Sequence, residues 1–171
     1  HTRLQAGDAP LTQRSIAQKT GISLGKVNQV LAEMSEAGLV DRSIRITDAG
    51  RAALEPYRVK NAVIMAAGMS SRFAPLSYEK PKALLSVKGE LLIEREIRQL
   101  QEAGIRDITL VVGYLKEKMF YLADKFGIRI VVNEDYYRYN NPSTLMLVAD
   151  QLDNTYICSS DNYFTENPFE Q

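Results

Sequence analysis

The stretch AAGMSSRFAPLSYEKPKALL, residues 66–85, decides the fold of the larger part of this chain. It continues the apolar run AVIMA, residues 62–66, which has the length and composition of a short buried strand. Gly68 lets the backbone turn sharply and come close to a ligand, because glycine has no Cβ atom. A glycine turn directly after a buried strand is typical of a phosphate-binding loop.

Small and cationic side chains follow this turn. Ser70 and Ser71 keep the loop slim and leave its N–H groups free to donate to phosphate oxygens. Arg72 adds a forked cation that suits phosphate. Pro81 fixes the chain just before Lys82, which can reach a phosphate as a point charge. A simple glycine turn with surface cations would explain each residue alone, but the strand, loop, arginine and Pro-Lys pair together favour a phosphate site.

Strands and helices alternate after the loop. The patterns predict strands at 107–113, 128–133 and 155–160, and helices at 91–104, 116–127 and 142–152. This alternation is typical of a parallel α/β sheet of the Rossmann-like type. Such sheets bind ligands at the carboxyl ends of their strands. We therefore predict one α/β domain over residues 59–171.

Residues 1–58 have a different pattern, which predicts a small winged helix-turn-helix domain. Two helices, over 11–20 and 24–37, are separated by Gly21, and Ser23 can cap the second helix. Two short strands around residues 39–46 and a last helix over 49–57 complete the pattern. Residues 56–60 are the expected linker.

The second helix of this domain carries Lys26, Asn28 and Gln29, where a recognition helix would contact bases or phosphates. Residues 1–58 hold 8 Lys+Arg against 6 Asp+Glu. A domain dedicated to DNA is usually more basic than this. Docking of a protein, or formation of a homodimer, is therefore as well supported by the sequence as contact with DNA.

The motifs resemble those of a known family. AAG-x-[GS]-x-R followed by K-P-K-x-L is the signature of the sugar-phosphate and choline-phosphate nucleotidyltransferases, and the P-loop pattern G-x-x-x-x-G-K-[ST] is absent. The stretches MAAGMSSRF, EKPKALL and SSDNY are most similar to the CTP:phosphocholine cytidylyltransferase branch. The resemblance covers residues 61–171, with Ser70 where many relatives have glycine.

The resemblance implies roles for individual residues. Arg72 would hold the β- and γ-phosphates, and Lys82 would stabilise the charge that develops at the α-phosphate. The nucleotide-binding loop would consist of Ala66, Ala67, Gly68, Met69, Ser70 and Ser71. The backbone of its first three residues would contact the base and the ribose.

The stretch NNPST, residues 140–144, is expected to open a helix near the base. Asparagine side chains can read pyrimidine edges, although an asparagine cap followed by Pro142 explains the local pattern by itself. The family has a similar Asn-Asn-x-x-Ser stretch beside the base, with Thr144 here in place of serine. We therefore predict nucleotide contacts from Asn140, Asn141 and Thr144.

The stretch SSDNY, residues 159–163, ends the last predicted strand. Asp161 would point into the ligand crevice and bind Mg²⁺, which takes one or two carboxylates together with phosphate oxygens. A turn-forming Asp-Asn pair is the alternative. The resemblance implies a second carboxylate from a later strand. Because the chain has no initial Met and stops at Gln171, we expect a catalytically incomplete fragment.

The composition excludes several classes of protein. A hydrophobic fraction of 45% is too high for a disordered chain, and no apolar run approaches the roughly 18 residues that a membrane helix needs. The single cysteine, Cys158, indicates a reducing cytoplasm and is expected to be buried. Met65 and Met146 are expected in the core. The tyrosines at 136, 137 and 139 could cage a quaternary ammonium, but packing is the preferred interpretation.

Together these observations predict a Mg²⁺-dependent enzyme that couples a nucleoside triphosphate, CTP by preference, to a phosphorylated small acceptor such as phosphocholine and releases pyrophosphate. A sugar-1-phosphate nucleotidyltransferase using UTP or dTTP is the closest alternative. A transcription regulator is an alternative of another class. Its winged helix would bind DNA, and its α/β domain would sense a nucleotide.

Overall fold

The computed structural model describes residues 11–69, 76–138 and 141–169, with the backbone alone at positions 76, 77 and 141–143. The chain forms two compact units that divide between Arg58 and Val59. Over its described residues the first unit is helical with one β-bridge, and the second unit is built on a parallel sheet.

The first unit contains helices α1 (Gln13–Thr20), α2 (Leu24–Glu36) and α3 (Asp48–Leu54), followed by a 3₁₀ turn, Glu55–Tyr57. Gly21 ends α1 with a φ of 70°, a conformation that glycine adopts without strain. The Ser23 side chain caps α2 by accepting from the Lys26 amide. The breaker and the cap predicted between the two helices are confirmed.

The two wing strands predicted around residues 39–46 are wrong in detail. The structure has one bridge between Val40 and Ile46. Asp41 Oδ1 accepts from the amides of Ser43 and Arg45, at 2.8 and 2.9 Å, and Ile44 has a φ of 61°. Two amides of the turn are therefore bonded to a side chain, and backbone bonds across the wing are limited to those beside the single bridge, so the wing is a tight turn.

The second unit is a four-stranded sheet that is parallel, as the α/β pattern predicted, with the strands in the order β5-β4-β1-β6. The strands are β1 (Asn61–Ala66), β4 (Asp107–Val112), β5 (Arg129–Val132) and β6 (Thr155–Ser159). Two short antiparallel strands that the sequence did not predict, β2 (Ser86–Val87) and β3 (Glu90–Leu91), form a separate hairpin. A one-turn helix, α4 (Leu76–Glu79), precedes that hairpin.

Helices cover both faces of the sheet. On the first face, α5 (Leu92–Glu102) and α6 (Tyr121–Phe126) bury a large core that includes Ile64, Ile97 and Leu110. On the second face lies α7 (Asn141–Met146), and the buried cluster there is small: Val63, Val111 and Val148, with Leu145 packed against it. The larger core therefore holds the sheet together, and the smaller one positions α7.

Two predicted helices are shorter than expected. Residues 116–127 divide into a 3₁₀ turn, Lys116–Met119, and the six-residue α6, and residues 142–152 divide into α7 and a 3₁₀ turn, Ala149–Gln151. Met146 is 75% exposed, so its assignment to the core is wrong, whereas Met65 is partly buried. Because α7 ends at Met146, Val148 fills the space against the sheet instead.

Within the described part of the chain, every helix is too short or too polar to cross a membrane.

We expect alanine to have opposite effects on stability at two glycines that lie in described helices of the first unit. A Cβ at Gly50 would lie 2.1 Å from the carbonyl oxygen of Leu39, whereas a Cβ at Gly25 would meet nothing within 4 Å. We expect Gly50→Ala to destabilise the unit by about 2 kcal/mol or more, and Gly25→Ala to stabilise it by about 0.5–1 kcal/mol. Hydrogen exchange of the α1–α3 amides measures both changes, and a shift of the same sign in the two variants would contradict the packing at Gly50.

Candidate active site

The carboxyl ends of the parallel strands bring the predicted loop residues to one edge of the sheet. Ala66 ends β1, and Ala67 continues from it; both are buried, while Gly68 and Met69 are exposed. The space beside Gly68 is open, because a Cβ there would meet nothing within 4 Å. Gly68 lacks a positive φ, so what glycine provides here is an accessible backbone and not a special turn.

A second glycine, Gly113, allows the exit of β4 to approach this loop. A Cβ at Gly113 would lie 2.7 Å from the Ala67 carbonyl oxygen and 2.8 Å from Tyr136 Cβ. The next amide, that of Tyr114, donates to the Ala67 carbonyl at 3.2 Å. Gly113 was not among the predicted site residues, although a glycine at the end of a strand is a sign of close backbone approach.

Lys82 and Asp161, 79 residues apart, meet at this edge. Lys82 Nζ donates to Asp161 Oδ2 at 3.2 Å, and the side chains are 19% and 39% exposed. Pro81 precedes a 3₁₀ turn whose residues Ala83 and Leu84 are buried, and this fixes the origin of the Lys82 side chain. The predicted cation and the predicted metal ligand therefore share one site.

The Asp161 carboxylate is held from both sides. Its Oδ1 accepts from the Ser159 hydroxyl at 2.6 Å. This bond and the Lys82 ammonium lower the pKa of Asp161 and outweigh the opposing effect of its partial burial. Asp161 is therefore an ionised oxygen donor at neutral pH, and Ser159, which the sequence analysis did not single out, orients it.

The donor chemistry fits a hard divalent cation. Mg²⁺ is held by one or two carboxylates and completes its shell with water and phosphate oxygens. The residues that the structure describes contain no cluster of three His, Cys, Asp or Glu side chains that would form a closed cage. Asp161 would therefore be one ligand in a Mg²⁺ shell that other groups complete, among them phosphate and water oxygens.

Several predicted residues lie outside the described part of the chain: Ser70, Ser71, Arg72 and Asn140. The backbone of Asn141 belongs to α7, and its side chain is outside the described set. Thr144 is described and is only 5% exposed. Its Oγ1 accepts from Asn133 Nδ2 at 3.1 Å, so the hydroxyl is already bonded within the protein.

The aromatic residues near this edge pack on one another. The Tyr136 ring lies 6.2 Å from that of Tyr114 and 5.8 Å from that of Tyr137, between centroids. The Arg138 guanidinium lies over the Tyr137 ring at 5.4 Å. Tyr139 is outside the described residues. The described rings support the packing interpretation that the sequence analysis preferred.

An acidic side chain that the sequence analysis missed lies beneath the site. Glu96, on α5, is 2% exposed, and neither of its carboxylate oxygens has a hydrogen-bond partner among the described residues. Burial, together with the nearby charge of Asp161, raises the pKa of Glu96 to about 8. The signal was available, because Glu96 shares a helix face with Ile93, Ile97 and Leu100.

Cys158 is buried, as expected, at 6% exposure. Burial, with a smaller effect from Glu96, raises the pKa of the Cys158 thiol to about 12. The thiol is therefore an inert apolar group at neutral pH.

The predicted DNA-contacting residues are all exposed on α2. Lys26 Nζ donates to Gln29 Oε1 at 3.3 Å, and Gln29 Nε2 donates to Glu33 Oε1 at 2.8 Å. Asn28 is exposed beside them. The face therefore offers polar groups, but Glu33 places a negative charge among them.

Comparison with known proteins identifies the family of the second unit. Residues 62–165 match the model of the MobA-like NTP transferase domain. The chain belongs to this family. Residues 4–72 match a second model, described as wHTH-PRTase associated, in agreement with the winged helix-turn-helix unit.

Individual relatives refine the comparison and confirm the predicted resemblance. The chain is 46% identical over 108 residues to the choline-phosphate cytidylyltransferase of Streptococcus pneumoniae, covering 63% of this chain and 47% of that protein. It is 43% identical over 104 residues to the 2-aminoethylphosphonate cytidylyltransferase of Lancefieldella rimae, covering 59% and 42%.

A solved structure of the CTP:phosphocholine cytidylyltransferase from Streptococcus pneumoniae is also similar. It matches with a TM-score of 0.64 and 45% identity, over 66% of this chain and 50% of that one. The chain thus spans about half the length of the relatives it matches.

The burial of Glu96 predicts a specific dependence of stability on pH. The folded chain keeps this proton up to a pH of about 8, whereas the unfolded chain releases it near its ordinary value of 4.5. The Glu96 contribution to stability is therefore lost progressively as the pH rises from about 4.5 to about 8. Glu96→Gln removes this loss. We expect the free energy of unfolding of the variant to be roughly 2 kcal/mol higher than that of the wild type at pH 8, and closer to it at pH 5.

Urea unfolding at the two pH values, with a chelator present, measures this difference. Glu102→Gln is the matched control, because Glu102 is exposed on the same helix. If both variants follow the same pH profile as the wild type, Glu96 is not buried as a neutral acid.

Proposed function

We propose that residues 59–171 are the nucleotide-binding part of a cytidylyltransferase, which couples CTP to a phosphorylated small acceptor such as phosphocholine and releases pyrophosphate. The observation that carries the proposal is the contact of Lys82 with Asp161 at the carboxyl edge of the sheet. It is supported by the identity of 46% and 43% to two relatives that are cytidylyltransferases of phosphocholine and of a phosphonate.

The chemistry would depend on position and charge. An oxygen of the acceptor phosphate attacks the α-phosphorus of CTP in line, and the bond to pyrophosphate breaks. No protein nucleophile is required. Lys82 lies where an ammonium can neutralise charge that develops at the α-phosphate, and Arg72 would hold the β- and γ-phosphates.

Mg²⁺, when bound at Asp161, would supply charge neutralisation and orientation for the triphosphate. The Ser159 hydroxyl holds Asp161 Oδ1, so the direction of the carboxylate is set before any ligand arrives. In the loop over residues 66–71, the Ala66–Gly68 backbone would contact the base and the ribose. Its carbonyl at Ala67 is already fixed by the Tyr114 amide, which makes this part of the loop preorganised.

The functional test begins with binding to the chain of residues 1–171. We expect Mg-CTP to bind more tightly than Mg-UTP or Mg-ATP in calorimetry. In the full-length protein, pyrophosphate release from CTP should be supported by phosphocholine or 2-aminoethylphosphonate and not by glucose-1-phosphate. Turnover with sugar phosphates alone would refute the proposal of a phosphocholine-type acceptor. Equal binding of all three nucleotides would refute the preference for CTP.

A second lysine–aspartate pair supplies matched controls. Lys60 and Asp153 form an ion pair of 2.8 Å at the opposite, amino edge of β1 and β6. We expect Lys82→Met and Asp161→Asn to lower turnover by about a hundredfold or more, and Lys60→Met and Asp153→Asn to leave it within about twofold. Equal losses from both pairs would show that the ion pairs act through stability alone.

The first unit carries a separate proposal. Its boundary at residue 58 would make it an independent domain, and the exposure of Lys26, Asn28 and Gln29 on α2 favours contact with DNA. Formation of a homodimer through this domain is the competing role. The lone reduced cysteine supports a cytoplasmic location.

A gel-shift assay on DNA upstream of the gene tests the contact with DNA. We expect binding at low salt that weakens as salt rises, since Lys26 would approach phosphates. Lys26→Ala should weaken the shift, whereas Lys88→Ala, in the second unit, should not. A chain that binds no DNA at low salt and sediments as a dimer would favour the competing role.

A further inference from the structure

We propose that Asn133 and Thr144 form a buried latch that sets the position of α7 at the nucleotide end of the sheet. Asn133 would then be a positioning residue for nucleotide affinity and choice of base, without contact to the nucleotide. The effect on nucleotides rests on the proposed function, whereas the latch itself is a feature of the fold.

Asn133 joins three segments of the chain. Its backbone amide donates to the carbonyl of Val112, at the end of β4, at 2.7 Å. Its Oδ1 accepts from the Asp135 amide at 3.0 Å, and its Nδ2 donates to Thr144 Oγ1 at 3.1 Å. Because the Asp135 amide can only donate, it fixes which end of the Asn133 side chain faces Thr144.

Both members of the latch are buried. Asn133 is 4% exposed and Thr144 is 5% exposed. A buried amide without an acceptor is costly, so each residue depends on the other to stay in place. The pair is therefore a specific bond and not an incidental surface contact.

The position of the latch on the sheet connects it to the site. Ala66 lies opposite Val112, and Val112 lies opposite Val132, the residue before Asn133. Asn133 is thus two strand spacings, about 10 Å, from the end of β1. This is the scale of a nucleoside, so α7 and the Ala66–Gly68 turn can lie on opposite sides of one ligand.

The helix needs an external support. It has six residues, and isolated helices of fewer than about 12–15 residues are marginal in water. Leu145, in α7, and Val148, two residues after its end, pack on Val63 and Val111. The latch adds a polar contact next to Leu145 and ties α7 to the residue that follows β5.

The latch gives Thr144 a different role from the direct contact that the family resemblance implied. The hydroxyl lies inside the protein and accepts from Asn133. Small displacements of binding groups have large effects on recognition, so loss of the latch should act through the placement of α7. Affinity for CTP and discrimination against UTP should fall, while the bonds to phosphate at Lys82 are kept.

The test compares Thr144→Val, Asn133→Ala and the double variant in the chain of residues 1–171, with Mg-CTP and Mg-UTP as calorimetric probes. We expect each single variant to weaken CTP binding by about tenfold and to reduce the CTP/UTP preference. The loss of CTP affinity in the double variant should be no larger than in either single variant. Thr144→Ser, which keeps the hydroxyl, should bind like the wild type. Losses that multiply in the double variant would show that Thr144 contacts the nucleotide itself and would overturn the latch.

Thr109→Val is the matched control for a lost buried hydroxyl. Thr109 is 2% exposed on the same face, and its hydroxyl donates to Gln151 Oε1 at 2.8 Å, away from the nucleotide edge. We expect it to lower stability without changing the CTP/UTP preference. If it changes the preference as much as Thr144→Val does, the effect is general destabilisation, and Asn133 has no positioning role.

The latch can also be measured without nucleotide. The side-chain NH₂ hydrogens of Asn133 should exchange slowly with solvent in the wild type and in Thr144→Ser, and about tenfold or more faster in Thr144→Val. Equal exchange in all three proteins would overturn the latch. Failure of the wild type to bind CTP would refute the proposed function alone, because this exchange measurement still decides whether the latch exists.

Discussion

The parallel pairing of β1 with β4 on one side and β6 on the other is the constraint on which the rest of the second unit depends. It places the residues after each strand at one edge, so that the Ala67 carbonyl meets the Tyr114 amide and Lys82 meets Asp161. The opposite edge has its own lysine–aspartate pair, but those side chains are 61% and 62% exposed, against 19% and 39%. The two pairs have the same residue types and differ in how far the surrounding loops bury them. Because the pair at the carboxyl edge is partly buried, water screens its charges less.

Two acids near this edge have pKa values displaced in opposite directions. Asp161 accepts from Ser159 and Lys82, which favour its charged form, whereas Glu96 is buried without a donor among the described residues. A neutral Glu96 also avoids repulsion with Asp161 below a pH of about 8. Their environments thus keep Asp161 charged, as a cation ligand must be, and keep Glu96 neutral in the core.

The sequence predicted the features that follow from periodicity and from the parallel direction of the strands. Apolar runs located the four strands, and because parallel strands share a carboxyl edge, the approach of Lys82 to Asp161 followed from the pattern. Features that depend on tertiary contact were missed: the tight approach at Gly113 and the pairing of Asn133 with Thr144. The wing was overestimated because the alternation of apolar residues carries no information on the Asp41 side chain, which accepts from the Arg45 amide that a longer ladder would need.

The two faces of the sheet bury cores of unequal size. The first face buries a large core under α5 and α6, while the second buries Val63, Val111 and Val148 under α7. A helix of six residues has little stability of its own, so contacts with this small cluster and with Asn133 hold α7 in place. Under the proposed function, base recognition would therefore depend on the less extensive core, whereas Lys82 precedes Ala83 and Leu84, which belong to the larger one. It follows that mild destabilisation should change base recognition before it changes the charge arrangement at Lys82 and Asp161, because the less extensive core has fewer apolar contacts to lose.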